Sequence, residues 1–267
     1  MNAPENLALP LLVSGQPLAH ESAQTQVRGA AHYVDDLVEA KGTLHAAPIL
    51  SPVAHGHLRG VDARVALAHP GVRAVLRAQD IPGDKLLAAF AHDEPIFATD
   101  KVLHIGQVVG LVLADTVTSA REAARKVTLD VQALPAVLTI DQAMQAQSFV
   151  LPPVTVQRGD FQGALQQAQH VIEGAFSVGG QEHFYLEGQV AYALPQEAGQ
   201  WLIHSSTQHP GEVQHWVAHA LGRAQHDVRV ECRRMGGGFG GKETQAGHLA
   251  VWAAIAAHKV QAPVKLR

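Results

Sequence analysis

A single cysteine, Cys232, stands among 267 residues, so no disulfide can form within the chain and an iron–sulfur cluster would lack its thiolates. Charge is sparse as well. Asp, Glu, Lys and Arg make up 16% of the residues, and 20 basic positions against 24 acidic ones leave a formal net charge of -4. Without a basic field, nothing is offered to a nucleic-acid backbone. No apolar run reaches the roughly 18 residues of a membrane span. No positive residue precedes Arg28, and Pro4 and Pro10 interrupt the first stretch, so the basic start of a secretory signal is missing. These shortages predict a cytoplasmic protein that binds neither nucleic acid nor membrane. What is plentiful is apolar: 47% of the residues are hydrophobic, enough over this length for two ordinary domains with cores.

Histidine is also plentiful, at 17 residues, and raises the question of a metal. His215 and His219 lie one helical turn apart on a predicted helix from Pro210 to Leu221, a workable two-ligand spacing. Trp216, Val217 and Ala218 stand between them, so the glutamate of a zinc-protease motif is absent and no third ligand is indicated. His55 and His57 would share a face if the chain were extended there, by the two-residue period, but they gather no carboxylate or cysteine. All four read as ordinary surface or core histidines.

Along the chain, residues 1–15 read as a loose tail and 16–142 as a first domain. Strands are predicted over Gly42–Ser51, Gly71–Leu76, Gly106–Ala114 and Val127–Val131, the third in the middle of a sheet. A short helix spans Ala63–Ala68, and Ser119 with Glu122 reads as a capping box for another through Lys126. Adjacent acids Asp35 and Asp36 point to opposite faces of an extended chain, which favours a turn or cap over an acid pair. The segment 143–152, rich in Gln and closed by prolines, is read as a linker to a second unit, 153–267. There Asp160 caps a helix to Gln169, and His170–Val178, Gly188–Leu194 and Trp201–Ser206 alternate like antiparallel strands.

Residues Met235 to Glu243 read M-G-G-G-F-G-G-K-E, five glycines between a strand-like stretch from Val228 and an Ala-rich helical run, Thr244–His258. Main chain without Cβ atoms can approach a ligand closely, and a helix N-terminus favours an anion. Gly236, Gly238 and Gly241 fit G-x-G-x-x-G, and Gly236 to Lys242 fit the first seven positions of G-x-x-x-x-G-K-[ST]. Against the second stands Glu243, a carboxylate where magnesium needs a hydroxyl. Against the first, no acid follows at the end of the next strand to hold a ribose. A glycine-rich turn that packs helix on sheet remains a further reading.

Together with S-S-T-Q-H-P from Ser205 and Q-E-H-F-Y-L-E from Gln181, the glycine stretch resembles the molybdopterin-binding large subunit of the xanthine dehydrogenase family, within the molybdenum hydroxylases. G-A-A-H-Y-V-D-D-L from Gly29 and A-R-E-A-A-R-K-V from Ala120 resemble the α/β hammerhead domain that precedes it there. The resemblance implies an α+β chain, a hammerhead domain followed by the first part of a mixed α/β molybdopterin-binding domain. It implies Mo-molybdopterin as cofactor, with Gln208 donating to the apical oxo group, and Phe239 and Gly240 bringing backbone near the metal. Gln208 and Phe239 are thus the expected metal-proximal residues. Glu243 is expected to contact the substrate, and a carboxylate there favours a purine, xanthine or hypoxanthine, over an aldehyde.

His183, inside Q-E-H-F-Y-L-E, is expected to support the pocket. In the family the general-base glutamate lies further downstream, so no catalytic residue is expected on this chain, and the chain alone is expected to be inactive. FAD and 2Fe–2S clusters are expected on a partner subunit or domain, within an oligomeric assembly that includes the rest of the molybdopterin subunit. An aldehyde-oxidising relative, or a non-catalytic protein using the loop for a nucleotide or partner, are the other readings.

Overall fold

The computed structural model of the chain describes residues 14–267, so nearly all of the expected tail lies outside the described residues. The first half holds a short helix α1 (Ala23–Val27), strands β1 (Leu44–Leu50) and β2 (Gly56–Asp62), helix α2 (Arg64–Leu67) and strand β3 (Val72–Arg77). After them come β4 (Leu86–Ala88), β5 (His92–Pro95), β6 (Lys101–Val102), β7 (Val108–Ala114), α3 (Val117–Ala124) and β8 (Thr128–Ala133). The second half holds α4 (Ile140–Gln145), α5 (Phe161–Gln167), β9 (Ala191–Pro195) and β10 (Trp201–Ser205). It ends with α6 (Pro210–Leu221), β11 (Val228–Glu231), α7 (Gln245–Val260) and β12 (Val264–Leu266). Among the described residues no helix is long and apolar enough to cross a membrane.

One seven-stranded mixed sheet, in the order β11-β10-β9-β12-β1-β7-β3, draws strands from both sides of the expected linker. β1 pairs parallel with β12 and antiparallel with β7. Strand alternation separates the two faces. Ala46, Leu111 and Leu113 join Ala191, Ile203 and the buried sides of α6 and α7 in the main core. Ala47, Ile49, Val112 and Ala114 turn the other way, against Ala120 and Ala123 of α3. Buried on both faces, β7 can be the continuous apolar run it is, although it lies one strand in from the sheet edge and not in the middle. The three strands β6-β2-β8 form a separate small sheet over a cluster of Val102, Val109 and Ala98.

The helix α6 begins with Pro210 at its first turn and stops at Gly222, whose φ of 60° is left-handed. Both signals are local, which is why its bounds are those the sequence predicts. α3 differs from expectation. Its cap is Thr116, whose side chain accepts from the Ser119 amide, so the helix starts two residues before Ser119. Asp36 accepts from the Tyr33 amide at 2.9 Å, the turn role expected of it, whereas Asp35 pairs with Lys265 and Arg267, a tether to the end of the chain that the sequence did not suggest. Asp160 caps α5. The expected strand His170–Val178 is not formed. Its alternating pattern pairs with no strand among the described residues, and Ile172 and Phe176 stay exposed, so neither ladder hydrogen bonds nor burial hold it extended.

Three histidines make the fold sensitive to acid. Burial pushes the pKa of His45, His204 and His258 below the ordinary value, outweighing Glu39 beside the first and Glu231 beside the second. The unfolded chain therefore takes up their protons first, so their contribution is complete above the unfolded pKa of about 6.5 and is lost as pH falls through the lower folded values. Asp35 acts in the same direction at lower pH: burial opposes its charge, but hydrogen bonds from Lys265 and Arg267 hold its carboxyl below the usual range. Thermal unfolding followed from about pH 7.5 to about 5.5 is expected to show a falling Tm, and His204→Gln to flatten the fall. A flat profile in the parent protein contradicts this account.

Candidate functional site

Three segments distant in sequence meet around the glycine stretch: Glu182–Gln189, Ser205–His209 at the end of β10, and Met235–Glu243 between β11 and α7. Gln208 is the joint. Its backbone amide donates to the Lys242 carbonyl at 2.8 Å, and its side-chain Oε1 accepts from the amides of Gly240 at 3.0 Å and Lys242 at 3.2 Å. With the oxygen so occupied, the Nε2 group is left without a protein acceptor among the described residues.

The loop has little room for side chains. A Cβ on Gly238 would stand 2.6 Å from Gln208 Oε1, and one on Gly241 would stand 2.7 Å from Tyr185 Cε1 and 2.8 Å from His183 Cγ. Gly237 and Gly240 have φ values of 97° and 91°, open to glycine and costly to most others. Phe239 itself has φ 53° and is 77% exposed. An apolar ring held out to solvent by a left-handed backbone is an expensive arrangement, the kind that marks functional loops. The amides of Gly237, Gly238 and Phe239 donate to no protein acceptor among the described residues. Three successive free donors next to an uncharged amide make a cradle for an anionic or oxygen-rich group.

Of the residues singled out from the sequence, Gln208, Phe239 and Gly240 thus belong to one constellation. Glu243 follows in the chain, exposed at the entry to α7, with no hydrogen bond or ion pair among the described residues. His183 stacks on Tyr185 with ring centroids 6.2 Å apart and flanks Gly240 and Gly241. Cys232 is half-buried; burial raises its thiol pKa, which keeps it protonated and unreactive.

The residue that sequence reasoning passed over is Lys242. It is fully buried, and its ammonium donates to the Glu187 carbonyl at 2.6 Å, Glu187 Oε2 at 3.2 Å and Ser206 Oγ at 2.8 Å. An ammonium has three donors, and all three are used within the protein. The charge that a phosphate loop aims at its nucleotide is therefore spent inside, which removes the G-x-x-x-x-G-K reading. Glu187 closes the motif Q-E-H-F-Y-L-E, and a buried cation needs such a carboxylate; that pairing was the available signal.

Comparison with known proteins identifies two regions of the chain. Residues 142–267 match the molybdopterin cofactor-binding domain, and residues 28–135 match the hammerhead domain of aldehyde oxidase and xanthine dehydrogenase. The chain belongs to the molybdenum hydroxylases, of which it carries these two successive regions. It is 42% identical over 259 residues to a xanthine dehydrogenase of Oryza sativa, covering 94% of this chain and 19% of the relative. A xanthine dehydrogenase of Calliphora vicina is 40% identical over 254 residues, again covering 94% of this chain and 19% of the relative. Among solved structures, the aldehyde oxidoreductase of Desulfovibrio gigas superposes with a TM-score of 0.79 at 29% identity, over 92% of this chain and 29% of that one. The chain thus spans about a fifth of the length of its curated relatives.

Proposed function

We propose that this chain holds the molybdopterin cofactor and one side of the substrate in a hydroxylase acting on xanthine or hypoxanthine. The observation that carries the reading is the Gln208 carboxamide, turned by two loop amides so that its Nε2 donor faces away from protein acceptors. A neutral donor suits an oxygen-bearing, anionic metal centre, where Asp or Glu would be repelled. The glycines of the loop leave the backbone space that such a group needs, and Gly240 has open space within 4 Å of a would-be Cβ apart from the His183 ring. The residues present therefore fit the cofactor.

When bound, the cofactor would supply the redox and oxygen-transfer chemistry. The chain's own part is to bind and orient: Gln208 by its amide, Phe239 and Gly240 by main chain, and Glu243 by a carboxylate able to hydrogen-bond a purine edge. The purine preference rests on Glu243 and on the names of the relatives. On this reading the general base would lie outside this chain, and FAD and iron–sulfur clusters on partner domains or subunits, a division that the single cysteine supports for the clusters. Exposed apolar side chains such as Val150, Ile172 and Phe176 support a covering by other parts of that assembly.

Metal analysis of the protein expressed in a molybdenum-replete host is expected to find molybdenum with a pterin. A bound nucleotide in its place contradicts the reading. In the active assembly, Glu243→Val is expected to lower kcat/KM for xanthine roughly 10–100-fold, the effect of one lost charged hydrogen bond, with aldehyde turnover kept. Equal loss for both substrates counts against the purine assignment.

A further inference from the structure

Lys242 and Glu187 form a buried pair whose placement is more specific than fold stability requires. Glu187 Oε2 accepts not only from Lys242 Nζ but also from Ser206 Oγ at 2.7 Å and from the Gly236 amide at 2.8 Å. Gly236 opens the glycine stretch and Lys242 ends it, so one carboxylate and one ammonium hold both ends of the loop against the end of β10. The ammonium also sits 4.6 Å from the centroid of the Tyr185 ring, which in turn lies against Gly241, while the Tyr185 Cβ lies against Gly237. Between the pinned ends, Gly238 accepts from the Gly241 amide at 2.7 Å, which folds the span into a tight turn. The backbone of Lys242 then meets Gln208 twice, by its amide to Oε1 and by its carbonyl to the Gln208 amide.

We infer that Lys242 is a positioning residue: with Glu187 it fixes the register of the glycine loop and, through the loop amides, the direction in which the Gln208 carboxamide presents its Nε2 donor. With its three donors used on Glu187 and Ser206, Lys242 acts through the loop and not by reaching a ligand itself. The cofactor consequence rests on the proposed role of Gln208, whereas the loop consequence stands on the hydrogen bonds alone. Glu187 Oε1, buried and without a partner among the described residues, shows that the carboxylate is held for the loop at the expense of its own full pairing.

The test compares the intact protein with Lys242→Met, close in length but without donors, and with Glu187→Gln, which keeps an acceptor for Gly236 while removing the charge. Hydrogen–deuterium exchange is read on the peptide spanning Gly236–Lys242 and, as control, on the α6 peptide. Molybdenum per polypeptide is measured on the same samples, and the electron paramagnetic resonance of the reduced molybdenum-loaded fraction is recorded. Lys242→Met is expected to speed exchange of the loop amides on the order of tenfold or more with α6 unchanged, as local opening without global unfolding does. Molybdenum content is expected to fall, and the resonance of the residual loaded fraction to shift. Glu187→Gln is expected to change each in the same direction by less.

Loop exchange unaltered in both variants overturns the inference. So does a rise shared equally by loop and α6, which would show general destabilisation. If Lys242→Met does not fold, Glu187→Gln alone decides by the same loop-to-α6 comparison. Absence of molybdenum from the parent protein overturns the cofactor reading and leaves the exchange comparison to decide the role of Lys242.

Discussion

Gly83→Ala is expected to lower the Tm by roughly 6–12 °C, on a destabilisation of about 3 kcal/mol at 2–4 °C per kcal/mol for a chain of this size. Gly83 lies where the segment after β3 docks on the end of α6: its amide donates to the Ala220 carbonyl at 3.0 Å, and the Asp84 amide to His219 at 2.9 Å. A Cβ at this position would overlap the His219 carbonyl oxygen and stand 2.5 Å from the Gly222 nitrogen. Both neighbours are main chain and cannot rotate away, so the segment must lift, with overpacking of about 2 kcal/mol and two weakened hydrogen bonds at about 0.5 kcal/mol each. Gly60→Ala is the control. Its Cβ would meet only Asp130 at 3.8 Å, an ordinary contact, and its expected effect is under about 1 kcal/mol. Calorimetry showing equal shifts for the two variants would remove the steric argument.

Gly238→Ala is expected to do the reverse: to spare the fold and abolish the site. The atoms its Cβ would strike are the ends of flexible side chains, Gln208 Oε1 at 2.6 Å and Met235 Cε at 2.8 Å, so they can yield at small cost in stability. When Gln208 yields, the Gly240 and Lys242 amides lose their shared acceptor and the carboxamide loses its direction. Displacing such an orienting group typically weakens metal retention by roughly 10–100-fold. Molybdenum per polypeptide, with Tm as the companion measurement, checks the expectation. Unchanged metal content with the Tm kept would show that Gln208 does not orient the centre.

Several elements were readable because their signals are local. Pro210 and Gly222 bracket α6 and Asp160 caps α5 in the second half, and in the first half the apolar run of β7 announces a strand buried on both faces. Gln208 and the glycine loop were legible as motifs, and their meeting was legible only by resemblance, since 30 residues and a whole helix separate them. Lys242 was not legible. A lysine after glycines reads as a phosphate ligand or a surface charge, and its burial depends on Glu187 and Ser206, 55 and 36 residues away. β2 was missed for a different reason. Gly56, Arg59 and Gly60 interrupt its hydrophobic pattern, and its strand form follows from pairing with β6 and β8. The stretch His170–Val178 shows the converse, a pattern that alternates well yet pairs with no strand among the described residues.

The position of β1, between β12 and β7, determines how this protein can be dissected. β12 has β9 on one side and β1 on the other, so a piece starting near residue 142 would bare the full row of amides and carbonyls along β12. The complementary piece would bare the matching row on β1. Exposed edges of that kind recruit strange strands, and each half made by itself would clump. Made together in one cell, the halves are each other's missing neighbour, which makes split-gene complementation, and not domain-by-domain expression, the natural way to study them apart.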